Sequence, residues 1–220
     1  MTPPRPTFDR LAPLYHALER LTYGGLLHAC RTAHLPRLAA CRKALILGDG
    51  DGRFLADFVR VNPTAAVDSL DVSPAMLELA RRRVAAIPGA ADRVRFITGD
   101  ARTTPLPDAG YDLVVTNFFL DCFPADQMGI VIDRVAGACA GDAVWVDGDF
   151  REPPGGLSRL AARCLLAGMY AFFRLATRIP ARRLVDPAPF LTARGFALRS
   201  EATRLRGFLS SRLWARGQAH

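Results

Sequence analysis

The sequence predicts an α/β fold, an open doubly wound sheet of mostly parallel strands, on three observations. An apolar run, Ala44-Leu45-Ile46-Leu47, feeds a turn with glycine at 48, 50 and 52 and leaves as a helix with Phe54, Leu55, Phe58 and Val59 on one side. Strand-type runs then alternate with helical stretches as far as residue 150, the pattern of βαβ units on a parallel sheet. After that the order changes, and two strand-like runs joined by only a few residues close the chain as an antiparallel hairpin at one edge.

Each element follows from its residues. Residues 1–7 are Pro-rich, and 8–41 carry a helical pattern broken at Pro13 and Pro36. Residues 1–42 therefore read as a helical cap and 43–220 as the sheet domain, with a helical insertion at 155–195 before the hairpin. The first strand is Ala44–Leu47, and its helix ends near Asn62-Pro63. The second is Ala65–Leu70, ending on Asp71; Ser73 as N-cap and Pro74 at the first helical position start the next helix. The third strand, Val94–Thr98, ends in Gly99-Asp100-Ala101. The fourth is Tyr111–Thr116, and Pro124 opens a helix to about Ala140. The fifth is Ala143–Val146, ending in Asp147-Gly148-Asp149. A long helix from Leu157 to Arg178 and a short one after Asp186-Pro187 precede the hairpin strands, Phe196–Thr203 and Gly207–Ala215.

Composition removes several classes. Half of the 220 residues are hydrophobic, enough for a sizeable core, yet no uncharged apolar run reaches the length of a membrane span. The N-terminus lacks the apolar centre of a secretory signal. Cysteines at 30, 41, 122, 139 and 164 are odd in number and form no C-x-x-C, against a disulfide framework or a zinc site. No metal site is expected, and a reduced, cytoplasmic setting is the default. The net charge is +8, and Lys43 is the one lysine among 29 basic residues. That charge favours acidic surfaces, although an arginine bias equally fits a GC-rich genome.

The acids fall where a ligand would lie. Asp71, Asp100 and Asn117 end the second, third and fourth strands, so they converge with the glycine turn at the carboxyl edge of the sheet. An acid at the end of the second strand accepts both hydroxyls of a ribose lying over a glycine turn. Asp100 is placed to accept the amine of a purine. The spacing G-x-G-x-G is neither the dinucleotide G-x-G-x-x-G nor a P-loop, which favours a nucleoside cofactor without phosphates.

With these residues in place the chain resembles the class I S-adenosylmethionine-dependent methyltransferases over about residues 8–150. Leu45 to Gly52 looks like the first motif of that family, Leu70 to Leu77 like its second, Gly99-Asp100-Ala101 like its adenine-side acid, and Tyr111 to Val115 like its fourth-strand motif. The opening Phe8 to Tyr15 is similar to that of the quinone-biosynthesis and small-molecule members. The resemblance implies a Rossmann-like seven-stranded sheet with an antiparallel last strand, and S-adenosyl-L-methionine as cofactor. It carries the cofactor contacts onto Tyr15, Gly48, Asp49, Gly50, Asp51 and Gly52, onto Asp71, Val72 and Met76, and onto Asp100, Ala101, Asn117 and Phe118. One position departs: the family usually places an acid two residues before the first glycine, and here Ile46 stands there. Asp49 or Asp51 is expected to substitute.

Methyl transfer from a sulfonium is an in-line displacement helped mainly by proximity. A base is needed only where the acceptor must lose a proton. His16, Asp121 and Asp149 are the candidates. The expected acceptor is a small, lipophilic or aromatic molecule. Nucleic acid is not expected, because Asn117-Phe118-Phe119-Leu120 lacks the Pro-Pro of the base-methylating enzymes. In the helix 157–178, arginines 159, 163, 174 and 178 lie opposite a broad apolar face, which packs on the sheet, borders the acceptor pocket or makes peripheral contact with a membrane. Oligomeric state is not legible. Two other classes compete: a catalytically silent S-adenosylmethionine-binding regulator or scaffold, and a nicotinamide-dependent oxidoreductase, which the glycine spacing disfavours.

Overall fold

The computed structural model of the chain describes residues 25–151 and 184–217. Tyr15, His16, most of the 1–42 cap and the 157–178 helix lie outside the described residues.

Helix α1 (Leu26–Arg31) and a 3-10 turn at Leu35–Leu38 come first. Strand β1 (Lys43–Leu47) leads to helix α2 (Arg53–Val61), and β2 (Ala66–Asp71) to α3 (Pro74–Ala85) and β3 (Val94–Thr98). Strand β4 (Tyr111–Asn117) passes through a 3-10 turn at Leu120–Cys122 into α4 (Ala125–Ala138) and β5 (Cys139–Phe150). Helix α5 (Ala188–Ala193) precedes β6 (Phe196–Arg204) and β7 (Leu209–Arg216).

The strands form one seven-stranded sheet in the order β3-β2-β1-β4-β5-β7-β6. Strands β1 to β5 pair in parallel, and β7 runs antiparallel to both β5 and β6. The chain works outward from β1 to β3, then returns to lay β4 on the other side of β1. Adjacent loops leave β1 and β4 in opposite directions, and such a switch point is where open α/β sheets bind ligands.

The reason β1 is an unbroken apolar run is its central place, with both faces covered. Ile46 packs on one side with Phe54, Phe58, Leu113, Val115 and Val146. Leu45 and Leu47 pack on the other with Val114, Met128, Val131, Trp145 and Trp214. Strand β6 is the opposite case. Most of its residues are exposed, and Arg199, Glu201 and Arg204 make its outer edge a poor template for further strands. Helix α3 begins as its residues dictate: the Ser73 hydroxyl accepts the Met76 N–H at 3.2 Å, and Pro74 occupies the first turn. Among the described residues no helix is long and apolar enough to cross a membrane.

The main difference from expectation is the fifth strand, which runs from Cys139 to Phe150 and not only over Ala143–Val146. At its start, Cys139 pairs with Tyr111 across a register shift. At its end, Asp147 to Phe150 pair with Arg212 to Leu209 of β7. The Asp147-Gly148-Asp149 segment is therefore inside a strand and buried, and is not a turn.

Candidate active site

The three glycines after β1 all have left-handed backbones, with φ of 65°, 62° and 77° at positions 48, 50 and 52. They have different surroundings. A Cβ at Gly52 would lie 2.6 Å from Ala80 Cβ and 2.8 Å from its Cα, so Gly52 lets α2 and α3 touch. At Gly48 the obstacle is the Phe119 ring. At Gly50 nothing lies nearer than Met76 Sδ at 3.9 Å, so this peptide borders open space. The Gly50 N–H donates to Asp71 Oδ2 at 3.1 Å, and Ser73 N–H donates to Asp71 Oδ1 at 2.9 Å. A carboxylate so oriented, beside an unobstructed glycine peptide, suits the diol of a ribose. Val72 and Met76 follow on the same edge, half-buried and buried.

Asp49 and Asp51 flank Gly50 and do separate things. Asp51 is buried; its Oδ2 accepts from Arg53 Nε at 3.1 Å and Arg83 Nη2 at 2.5 Å, and its carbonyl accepts from Arg83 Nε at 3.0 Å. It ties the turn to α3. Asp49 Oδ2 accepts the Leu55 N–H at 2.9 Å, at the open end of α2. Burial raises the Asp49 carboxyl to about 7, against the pull of that N–H and of Arg31. Arg31 lies with its guanidinium 5.2 Å from the centre of the Phe118 ring. Ile46, in contrast, is sealed in the core, where an acid would meet only apolar neighbours.

Asp100 is half-buried at the end of β3. Arg102 grips it twice, Nε to Oδ1 at 2.9 Å and Nη2 to Oδ2 at 2.5 Å, which holds its carboxyl below the usual range. Arg102 also donates to Gln127 Oε1 at 2.6 Å. Ala101 is buried beside it. An amine approaching Asp100 would share it with this guanidinium.

The ends of β4 and β5 form the other half of the site. Asn117 is buried, and neither its Oδ1 nor its Nδ2 has a partner. It lies over Gly148, where any side chain would strike its Oδ1. Phe118 has a left-handed φ of 52°, its N–H donating to Gly148 O at 2.6 Å. Such strain in a non-glycine residue costs about 1–2 kcal/mol and tends to gather at functional sites. Its ring meets Phe150 edge-on at 5.1 Å.

Asp121 and Asp149 come together here, both buried. Asp149 Oδ1 accepts its neighbour's Phe150 N–H at 2.7 Å, and its Oδ2 has no partner. Burial first, then the charges of Asp121 and Asp147, push the Asp149 carboxyl well above the carboxylate range. Burial lifts Asp121 to about 6, with the Cys122 thiol 3.7 Å away. The Cys122 thiol is itself raised by burial and by the charges of Asp121, Asp149 and Asp71. A buried carboxyl titrating near neutrality is suited to accept a proton.

Three residues at this site were not legible in the sequence: Asp147, Arg212 and Arg31. Asp147 is fully buried and bound by Arg212, which is also buried, through Nη2 at 2.6 Å and Nε at 3.2 Å. Arg31 was passed over as well. Arg212 lies in a different part of the chain, and no local signal pairs it with Asp147; only the antiparallel register of β7 on β5 does so. Among the described residues no group of three metal-ligating side chains is present.

Comparison with known proteins bears on the family and the fold. Residues 44–141 match the model of a family described as a methyltransferase domain. The demethylmenaquinone methyltransferase of Thermus thermophilus is 30% identical over 213 residues, covering 88% of this chain and 93% of that protein. The enzyme of the same description from Roseiflexus castenholzii is 29% identical over 115 residues; the chain spans about half of that relative, 46% of its length. Among solved structures, the mitomycin 7-O-methyltransferase superposes with a TM-score of 0.67 at 18% identity, over 96% of this chain and 60% of the other. The Burkholderia thailandensis 1,6-didemethyltoxoflavin-N1-methyltransferase, solved with S-adenosylhomocysteine, gives 0.64 at 16% identity, over 96% and 86%. At these identities the structural likeness speaks for the fold.

Proposed function

The chain belongs to the class I S-adenosylmethionine-dependent methyltransferases, and on that premise we propose that it methylates a small lipophilic or aromatic acceptor whose reacting group must lose a proton. The observation that carries this reading is Asp121: a buried carboxyl at the end of β4, raised to about 6 by burial, next to the raised Asp149. An acceptor that is already a good nucleophile needs no such group. A phenol or hydroquinone does, and removing its proton makes both the oxygen and the adjacent ring carbon nucleophilic. The name of the Thermus relative, a methyltransferase of demethylmenaquinone, is consistent with that class.

The residues divide as follows. The Gly50 peptide and Asp71 receive the adenosyl ribose, Val72 and Met76 flank it, and Asp100 with Ala101 receives the base. Asp49, in the place left by Ile46, meets the ammonium of the amino-acid end. Asn117 and Phe118 border the sulfonium. When bound, S-adenosylmethionine supplies an activated methyl carbon for in-line attack. The chain aligns the acceptor with it and takes up the acceptor's proton on Asp121.

Calorimetry with S-adenosylmethionine, S-adenosylhomocysteine and NAD tests the cofactor; binding of the first two and not the third is expected. Transfer to a panel of phenols, hydroquinones and fatty acids then tests the acceptor. The variant Asp121→Asn is expected to lose about 100-fold or more in turnover while keeping its cofactor affinity. An undiminished rate in that variant with a phenolic acceptor overturns the role given to Asp121, and absence of any transfer by the wild-type chain overturns the activity.

A further inference from the structure

Three buried carboxyl groups, Asp121 in the turn after β4 and Asp147 and Asp149 at the end of β5, lie in this region, and the buried Arg212 guanidinium is bonded to one of them, Asp147. We propose that Arg212 is the positioning residue of this group: it holds the negative charge on Asp147, and so leaves Asp149 as a proton-bearing donor and Asp121 as the carboxylate that accepts the acceptor's proton. This rests on the functional reading above and refines it.

The geometry separates the three acids. Arg212 makes both of its contacts with Asp147 to one oxygen, Oδ2, at 2.6 and 3.2 Å. Its Nη1 donates to Asp186 Oδ1 at 2.8 Å, and its Cζ lies 5.2 Å from the centre of the Trp214 ring. Asp186 is in turn held by Arg151, which also pairs with Glu201. A guanidinium does not give up its proton in a protein, so its bound partner stays ionised although burial raises that partner. Asp149 has no cation bonded to it. One oxygen takes a backbone N–H and the other takes nothing. The groups facing it are Cys30 on α1, Asp121 and Cys122 after β4, Asp147 on its own strand, and Arg212 on β7. Two of these groups, Asp121 and Asp147, are carboxyls, and burial with that like charge keeps Asp149 protonated. Asp121 is then the acid able to change state near neutral pH. Asp147 Oδ1 and Asp149 Oδ2 are both buried without a hydrogen-bond partner, and such an atom calls for a partner from outside the protein; what distinguishes Asp149 is that it has no bonded cation, whereas Asp147 has Arg212.

Infrared titration of the cofactor-free chain reads these protonation states directly, through the carbonyl stretch of protonated carboxylic acids. Besides the band of Asp49, which titrates near pH 7 and is lost in Asp49→Asn, the wild type should keep one such band above neutral pH, lost in Asp149→Asn, and another that titrates near pH 6, lost in Asp121→Asn. Asp147→Asn removes a negative neighbour and keeps Arg212, so the Asp121 midpoint should fall by about one pH unit. Arg212→Gln should add a further band at neutral pH as Asp147 takes up a proton, and Arg212→Lys should restore the wild-type pattern. The acid limb of methyl transfer should move with the Asp121 midpoint. An unmoved midpoint in Asp147→Asn, or no added band in a folded Arg212→Gln, overturns the proposal. Should Arg212→Gln not fold, Asp147→Asn and Arg212→Lys still decide it. If calorimetry shows no S-adenosylmethionine binding, the functional reading fails whatever the infrared shows; if methyl transfer proceeds and the bands do not behave as stated, this assignment alone fails.

Discussion

At the level of single residues, the proposed function divides the glycine turn between cofactor recognition at Gly50 and folding at Gly52. Gly50→Ala adds a methyl group to open space, so its effect on stability is limited to the left-handed backbone, about 1–2 kcal/mol. Its effect on cofactor binding should be larger, because the new methyl occupies the ligand side. Gly52→Ala drives a Cβ into the backbone of α3 and should cost several kcal/mol more in a urea unfolding curve than Gly50→Ala. Equal losses of stability in the two variants would refute this division. The glycines, Asp71 and Asp100 were legible in the sequence because each ends a strand that is itself legible. The environment of Asp121 and Asp149 was not. Both look like turn carboxylates locally, and their burial arises from the pairing of β5 with β7 and from the Leu120–Cys122 turn folding over the strand ends. Asp49 could be told from Asp51 only when the partners were visible, since Arg83 reaches back from α3 to claim Asp51.

Among the elements, α3 shows how a cap supports a site. The Ser73 hydroxyl holds the Met76 N–H, while the Ser73 N–H is bonded to Asp71. Ser73→Ala should lower stability by about 1 kcal/mol, measured by thermal or urea unfolding, and should weaken cofactor affinity less than Asp71→Ala does. A larger effect on affinity than that of Asp71→Ala would contradict the capping role. This helix start was readable from Ser73-Pro74 alone, as were β1 to β4, each a short apolar run with punctuation at both ends. Strand β5 was readable only in its middle. Gly141 and Asp142 are exposed near one end, and Asp147 to Asp149 read as polar punctuation at the other, yet pairing with β4 and β7 continues through them. Hydrophobic alternation cannot reveal a polar strand segment that is buried by pairing with strands on both sides.

For the molecule as a whole, the raised carboxyls give stability an unusual pH dependence. Asp49 and Asp121, at about 7 and about 6 in the folded chain, keep protons that the unfolded chain sheds near the ordinary carboxylate value. Folded molecules therefore bind more protons than unfolded ones across that interval, and stability falls as pH rises through it. Asp100, lowered by Arg102, and Asp108, lowered by Lys43, act in the other direction; their contribution is present above the ordinary value and is lost as pH falls below it. The thermal midpoint of the cofactor-free chain should thus decline between about pH 5 and pH 8, and less steeply in Asp49→Asn. A midpoint that rises over this range would be the contrary result.

The placement of β7 has a further consequence, one of timing. It is the last described strand in chain order, yet it lies between β5 and β6. During synthesis the edge of β5 stays unpaired, and β6 has no place on the sheet, until Leu209–Arg216 have left the ribosome. The acids of β5 are then without Arg212 as well. Closure of the sheet and the pairing of Asp147 with Arg212 therefore become one event, completed only when β7 is in place.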